Sequence, residues 1–432
     1  MHPFLLPLIF VASVVRPAAA QAQELPHGGA SMHALPGAAI HSAEPSGPLS
    51  LQDALAMALA ANPEIAAARN EQSAVEASIL QAGARPNPTL GLQLQDTRRD
   101  SRETTVLLSQ PFELGGKRAA RVQAAERGRD VAGADLEARQ VDVRAAVITA
   151  FFDVLAAQES LRLAQESTAL ARRATTVAAR RVTAGKVSPV EETRAHVAET
   201  GVRLELLQAK SALTVARKRL GATWGNPAPR FERAEGRVQS LPPLPSPDVL
   251  AQGLTRSPAL ARARFELERR LALVQGERSR AMPDVTVSLG MNRIEAPGRN
   301  QAMVGVSVPL PVFDRNQGNL LEAQRRADKA RDELAGTEAR LGTELALAVE
   351  RLATARQEAE SLQQDILPGA QSAYAAATTG FEYGKFGFLD VLDAQRVLLQ
   401  ARSHYLRAVS EAHRAGADIE RILGAPQANA IH

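Results

Sequence analysis

Asp390 and Asp393 stand three residues apart, just after Gly384-Lys385-Phe386-Gly387-Phe388, a run in which glycine stops one helix and lets another begin. That spacing puts both carboxylates on one face of the second helix's first turn. Acids placed there gain a few tenths to about 1 kcal/mol each from the helix dipole, so a capping pair accounts for them. Carboxylates brought together are also what attracts cations in a pore. Glu191 occupies a similar place after the turn Gly185-Lys186-Val187-Ser188-Pro189.

A second set of donors is His27, His33 and His41, with Met32 beside them, in the Gly/Pro-rich stretch 23–48. Imidazole and thioether groups suit soft or borderline cations, but this loose spacing fixes no coordination geometry, and a linker is the plainer reading. His196, His404 and His413 fall on helical segments, and the last two do not share a face at metal-pair spacing. No HExxH, GxSxG or P-loop pattern occurs. Neither an enzyme nor a cofactor is expected.

The elements that hold these groups follow from composition. Of 432 residues, 45% are apolar and 23% charged but only 3% aromatic. An excess of Ala, Leu, Arg, Glu and Gln belongs to long helices rather than to a sandwich or a Rossmann domain. With no Cys, disulfides, thiolate metal sites and iron–sulfur clusters are excluded. The 51 basic and 47 acidic residues nearly cancel to +4. No one-signed stripe with interleaved aromatics is present, so nucleic acid is not an expected partner.

The first 22 residues read as a secretory signal peptide. Phe4 to Val15 is apolar but shorter than the roughly 20 residues of a membrane helix, and Ala18-Ala19-Ala20 supplies small residues for cleavage. Residues 23–48 are expected to be a disordered linker. No later run of 18 apolar residues occurs. An exported chain of this kind is either periplasmic or part of a β-barrel.

The remainder contains an internal repeat. Pro63, Arg85 and Pro88 match Pro258, Arg280 and Pro283 at an offset of 195; SQPFELGGKR from Ser109 matches SVPLPVFDRN from Ser307 at 198; AGKVSPVEETRA from Ala184 matches YGKFGFLDVLDA from Tyr383 at 199. The repeats are expected over 49–225 and 248–425, with a Pro-rich linker 226–247 between them and a tail 426–432. Each half reads as helix, strand, strand, long helix, tight turn, helix.

In the first half the expected elements are a helix from Leu51 to Ala84, strands Thr89 to Gln95 and about Thr104 to Ser109, a helix from Lys117 to Ala184, and another from Pro189 to Gly221. In the second they are strands Val285 to Met291 and Met303 to Val308, one helix from about Gln317 to Gly380, and Phe388 to Ile422. A helix of about 68 residues spans roughly 100 Å, and the two shorter helices stacked end to end match its length. A tall helical wall follows.

The strands alternate. Leu90, Leu92 and Leu94, and then Val285, Val287 and Leu289, present an apolar face, while Gln93 and Ser288 lie on a small polar one. This is the pattern of a wall between lipid and water. Four strands cannot close, since small membrane barrels need about eight. The chain must therefore oligomerise, a dimer supplying about eight strands and a trimer about twelve.

The layout, with SQPFELGGKRAAR, PLPVFDRNQG and FGFLDVLDAQR as its most specific parts, resembles the TolC-like outer-membrane channel family, and within it the cobalt–zinc–cadmium efflux branch. The resemblance spans about residues 49–425. It implies a mainly α fold with a small membrane β-barrel: a homotrimer closing a 12-stranded barrel in outer-membrane lipid above a periplasmic helical tunnel. The function it implies is the exit duct of a tripartite pump for divalent heavy-metal cations, working with a periplasmic membrane-fusion adaptor and an inner-membrane resistance-nodulation-division pump. In such channels an Asp pair lines the periplasmic entrance, and FLDVLD carries that gate role to Asp390 and Asp393, with Glu191 as a third candidate. Phe386 follows Lys385 where some relatives carry a latching Arg, leaving Lys385 or Lys186 as the available cations. Gly185, Lys186, Gly384, Lys385, Phe386 and Phe388 form the expected adaptor-docking tip. The alternatives are the same channel with organic drugs or proteins as cargo, or a soluble periplasmic coiled-coil adaptor.

Overall fold

The structure is a computed structural model that describes residues 44, 46–96, 98, 101–236, 239–295 and 298–424. The signal segment, His27, His33, His41 and the tail 426–432 lie outside the described residues.

The first half runs β1 (Pro48–Leu49), α1 (Leu51–Ala61), α2 (Pro63–Gly83), β2 (Thr89–Gln95), β3 (Glu103–Phe112), α3 (Lys117–Thr183) and α4 (Pro189–Ala222). After β4 (Arg233–Ala234) come α5 (Pro247–Thr255), α6 (Pro258–Arg280), β5 (Val285–Ile294), β6 (Arg299–Ser307), α7 (Gln317–Ser361), a π-helical turn (Leu362–Ile366), α8 (Leu367–Glu382) and α9 (Phe388–Leu423). No helix among the described residues is long and apolar enough to cross a membrane.

Two expected helices are broken. Leu51 to Ala84 divides at Asn62-Pro63 because Asn62 caps α2: its Oδ1 accepts from the Glu64 and Ile65 amides at 2.8 and 3.1 Å. Pro63 then occupies the first turn, where its missing N–H costs nothing. Gln317 to Gly380 divides at the π turn, immediately before Pro368. A proline inside a helix removes one backbone bond and clashes with the preceding turn, and a π turn is one of the ways a helix absorbs such an insult. The strands also run further than expected: β3 and β5 are each 10 residues long.

The four long strands form one antiparallel sheet in the order β2-β3-β5-β6. The central β3–β5 pair, from Glu103↔Ile294 to Phe112↔Val285, joins the two halves. Near the sheet the helices lie side by side as α2-α3-α6-α7, and away from it as α4-α3-α9-α8. Ion pairs Arg127–Glu268 at 3.1 Å and Arg262–Asp135 fasten α3 to α6. The apolar core sits midway, where α1, β1 and β4 thicken the wall: Leu49, Phe151, Leu220, Trp224 and Phe231 are all buried there. A second cluster, with Leu260, Leu352 and Ile419, lies under α5.

Candidate functional site: a two-faced sheet and a helical tip

Register fixes the faces of the sheet, because residues directly opposite on neighbouring strands point the same way. One face carries the rows Leu90↔Leu108↔Leu289↔Val304 and Leu92↔Val106↔Met291↔Ala302, followed by Val287↔Val306 and Phe112↔Val285. Leu94 ends the apolar rows, opposite Thr104. Leu90, Leu92, Leu94 and Leu289 are exposed, and Val285 and Val287 half-buried. The face is thus apolar apart from Gln110, which stands opposite Val287 and donates to the Pro86 and Pro111 carbonyls, and it is mostly uncovered, an arrangement water penalises at about 25 cal/mol per Å².

The opposite face is polar and bonded to itself. The Ser109 and Ser288 hydroxyls lie 2.9 Å apart, Thr105 Oγ1 donates to Asn292 Oδ1 at 3.3 Å, and Asn292 Nδ2 donates to Glu103 at 3.2 Å. One row interrupts it: Leu107 and Met303 flank Gly290. A β-carbon at Gly290 would lie 2.5 Å from the Val106 carbonyl and 2.8 Å from Leu107 Cδ1, so glycine there lets the side chain of Leu107 cross the strand. The alternation read in β2 and β5 does not predict this row; the one sequence signal for it is Leu107, an apolar residue in the polar phase of β3.

Among the described residues, the outer strands have no partner on their far sides. Every residue of β2 and of β6 is exposed, and these two strands are the edges of the sheet. The same is true of the helices, with α2 and α4 on one lateral edge and α7 and α8 on the other.

At the far end, each hairpin turn is set by a glycine in the left-handed region, Gly185 at φ 67° and Gly384 at φ 72°. Lys186, Lys385 and Glu192 surround these turns and are exposed. Ser188 caps α4 by accepting from the Val190 amide at 3.3 Å. In the second turn that work passes to Asp390, whose Oδ2 accepts from the Gly387 amide at 2.8 Å. Asp393 pairs with Arg396 at 2.7 Å, both side chains well exposed, and Glu191 pairs with Arg194 at 3.4 Å. Each gate candidate therefore has a partner three residues away along its own chain. Phe386 is only half-exposed: its ring lies across Gly380, leaving no room for a β-carbon there. Beside it, the Arg181 guanidinium sits 4.4 Å from the Phe381 ring centre. Phe388 opens α9, and its side chain lies outside the described residues.

Sequence reasoning passed over the seam of α3 against α9, a line of ion pairs visible only once the helices are placed: Arg144–Glu420 at 3.7 Å, Arg414–Asp153 at 2.7 Å and Arg402–Glu166 at 3.8 Å. Burial holds the Glu420 carboxyl above the usual range despite Arg144. Hydrogen bonds from Arg162 hold Glu159 below it, against a smaller effect of burial.

Residues 54–226 and 249–425 match the family described as outer membrane efflux protein. The chain belongs to that family. Membership assigns it efflux at the outer membrane rather than catalysis, and it explains why two matched segments coincide with two repeats of one layout. The chain is 46% identical over 381 residues to the cobalt-zinc-cadmium resistance protein CzcC of Cupriavidus metallidurans, covering 88% of this chain and 91% of that one. It is 30% identical over 335 residues to the nickel and cobalt resistance protein CnrC of the same organism, covering 76% and 78%. Among solved structures, the fold is similar to the outer-membrane channel OprN, with TM-score 0.73, 20% identity and coverage of 87% and 90%. It is equally similar to CusC, with TM-score 0.73, 17% identity and coverage of 87% and 92%.

Proposed function

We propose that this chain is the outer-membrane exit duct of a tripartite efflux pump for divalent heavy-metal cations, acting as a ring of three copies. One observation carries the reading: a sheet with one largely apolar face ends in two edge strands that have no outer partner among the described residues. Edge strands left open invite further pairing. Since β2 and β6 run antiparallel to each other, β6 of one copy can pair with β2 of the next in the same alternating pattern. Head-to-tail contacts of that kind close into a ring when the rotation permits, and three copies give about twelve strands. Lipid then covers the apolar face, and water fills the polar one.

The cargo is read from the resistance proteins the chain resembles, which act on cobalt, zinc, cadmium and nickel by name. In a ring, Asp390 and Asp393 of three copies set six carboxylates around the axis at the tip. Arg396 partly offsets Asp393, which keeps the ring attractive to cations without trapping them. The tip at Gly185-Lys186 and Gly384-Lys385-Phe386 meets a periplasmic adaptor, which links the duct to an inner-membrane pump of the resistance-nodulation-division type.

The test is membrane fractionation followed by sizing in detergent, together with zinc, cobalt and cadmium tolerance of a deletion strain. A heat-modifiable outer-membrane trimer and loss of metal tolerance on deletion are expected. A soluble monomer overturns the duct. An intact trimer whose loss changes drug tolerance but not metal tolerance overturns the cargo alone.

A further inference from the structure

We propose that the connection from β6 to α7, residues 308–316, is an intersubunit clasp that seats on the end of α2 and the start of β2, residues 83–89, in a second copy of this chain. The inference rests on the ring reading above and adds the residues that lock neighbouring copies at one height, just below the sheet.

The first half supplies the template. Its own connection, from β3 to α3, does not hang free. The Leu114 amide donates to Asp284 Oδ1 at 3.2 Å, and Lys117 Nζ lies 2.6 Å from the same oxygen. Gly115, at φ 71°, approaches so closely that a β-carbon would stand 2.9 Å from Met282 Cβ and 3.0 Å from the Ser279 carbonyl. The first connection therefore sits on the end of α6 and the segment leading into β5, which belong to the half that follows it around the wall.

The second connection is built alike. Both end on a residue in the left-handed region that precedes the long helix, Gly116 at φ 75° and Asn316 at φ 60°. The half that should follow it around the wall is missing from its own chain, because α7 and β6 are lateral edges. In a ring, that place is filled by the first half of the next copy. At the repeat offset of 195, Ser279, Met282 and Asp284 correspond to Ala84, Asn87 and Thr89.

Both sides of this missing contact leave side chains uncovered, although the Gly83, Ala84 and Pro86 carbonyls accept from Arg118, Arg121 and Gln110 and Asn316 is anchored at its own end by donating to Glu277 at 2.8 Å. Ala84, Asn87 and Thr89 are exposed, as is every residue from Val308 to Arg315. Among the described residues the three most exposed large hydrophobic side chains are Phe313 at 92%, Leu80 at 81% and Leu310 at 80%. Phe313 and Leu310 lie on the clasp, and Leu80 on α2, one turn before the proposed seat. Full exposure of such side chains on opposite edges at one level marks surfaces that bury together. The second connection also spans seven steps from Pro309 to Asn316 where the first spans five from Pro111 to Gly116, slack that lets it reach across a subunit boundary. The first connection seats on protein, and this favours a copy of the chain over lipid as the occupant of the second.

With no Cys in the chain, disulfide trapping is free of background. Full-length protein carrying Asn87→Cys with Phe313→Cys, and a second pair carrying Asn87→Cys with Arg315→Cys to cover the alternative register, is oxidised in outer-membrane fractions. Expected are dimer and trimer bands on non-reducing gels from at least one pair. These should collapse with reductant and be absent from each single variant. No cross-link from either pair, in samples that still size as the oligomer, overturns the clasp and leaves the ring standing. A protein that sizes as a monomer in detergent overturns both. Leu310→Asp combined with Phe313→Asp is expected to lower the temperature at which the oligomer dissociates while the helical circular dichroism is unchanged, and an unshifted dissociation temperature counts against the clasp. Reaction of Phe313→Cys solely with membrane-partitioning maleimides, without cross-linking, would assign the strip to lipid instead.

Discussion

The two halves place backbone landmarks alike and spend side chains differently. Each has a proline opening the helix before the sheet, a left-handed residue before the long helix, and a left-handed glycine at the far turn. Yet α3 runs 67 residues without interruption, while its counterpart is divided by a five-residue π turn and Pro368 into α7 and α8. The first connection is seated on the other half, whereas the second leaves residues 308–315 exposed and is held by Asn316 on Glu277 of its own half. Backbone geometry is thus what the repeat shares, because glycine, proline and capping positions have few substitutes. The chemistry at each seat depends on which neighbour arrives there.

The largest expected effect is one in which the halves should not differ. Leu92→Arg in the first half and Leu289→Arg in the second each put a cation on the apolar face, at a cost of about 2 to 4 kcal/mol near mid-membrane. Gln93→Arg and Ser288→Arg, on the polar face, should be tolerated. Urea unfolding of the protein in lipid vesicles measures this, and equal costs on both faces would show that the sheet does not separate lipid from water. A smaller effect should distinguish the hairpins. Gly290→Ala, meeting the Val106 carbonyl at 2.5 Å, should cost about 1 to 3 kcal/mol through overpacking. Gly91→Ala, whose β-carbon meets nothing closer than Leu107 O at 3.8 Å, should change stability little in the same assay.

Much of this was readable in the residues. Alternation in Thr89–Gln95 and Val285–Met291 gave the faces, because a period of two has one meaning in a half-buried strand. The ungapped match of Pro63 to Pro258 aligns the two halves without revealing the helix break before Pro63, because the helical pattern runs straight through Asn62. That break was missed because Ala and Leu continue on both sides, and only the Asn62 side chain reveals the cap. Pro368 is equally visible, but Ala-rich helical spacing resumes after it and gives no sign that a π turn precedes it. Asp390 was legible as a capping acid, and its bond to Gly387 agrees with that. The α3–α9 seam was illegible, because no spacing along the chain indicates which charges will face each other across more than 200 residues.

The interrupted helix offers a third contrast. Hydrogen exchange should be faster at residues 362–370 than at 162–170 of α3, because the π turn and the missing Pro368 amide weaken the local backbone ladder. Pro368→Ala should slow the former toward the latter, restoring one bond worth about 0.5 to 1.5 kcal/mol. Exchange at equal rates in the native protein would mean that the π turn is as rigid as ordinary helix, and the two long helices would then be mechanically alike.

The smallest expected effect lies on the seam where the halves meet, and its sign differs between two carboxylates. Glu159 is bonded to Arg162 on its own helix, α3, and this lowers its folded pKa. Its contribution is present above the unfolded value of about 4.3 and is lost as pH falls through the folded value. Glu420 on α9 faces Arg144 across the seam at 3.7 Å, too far to offset its burial, so its folded pKa is raised. Its contribution is complete below the same unfolded value and is lost as pH rises through the folded one. Thermal unfolding between about pH 3 and pH 7 should therefore separate the two variants. The melting temperature of Glu420→Gln relative to wild type should climb with pH, whereas that of Glu159→Gln should fall. If the two differences slope the same way, Arg144 binds Glu420 as firmly as Arg162 binds Glu159, and the seam between the halves is as well paired as the helix within one.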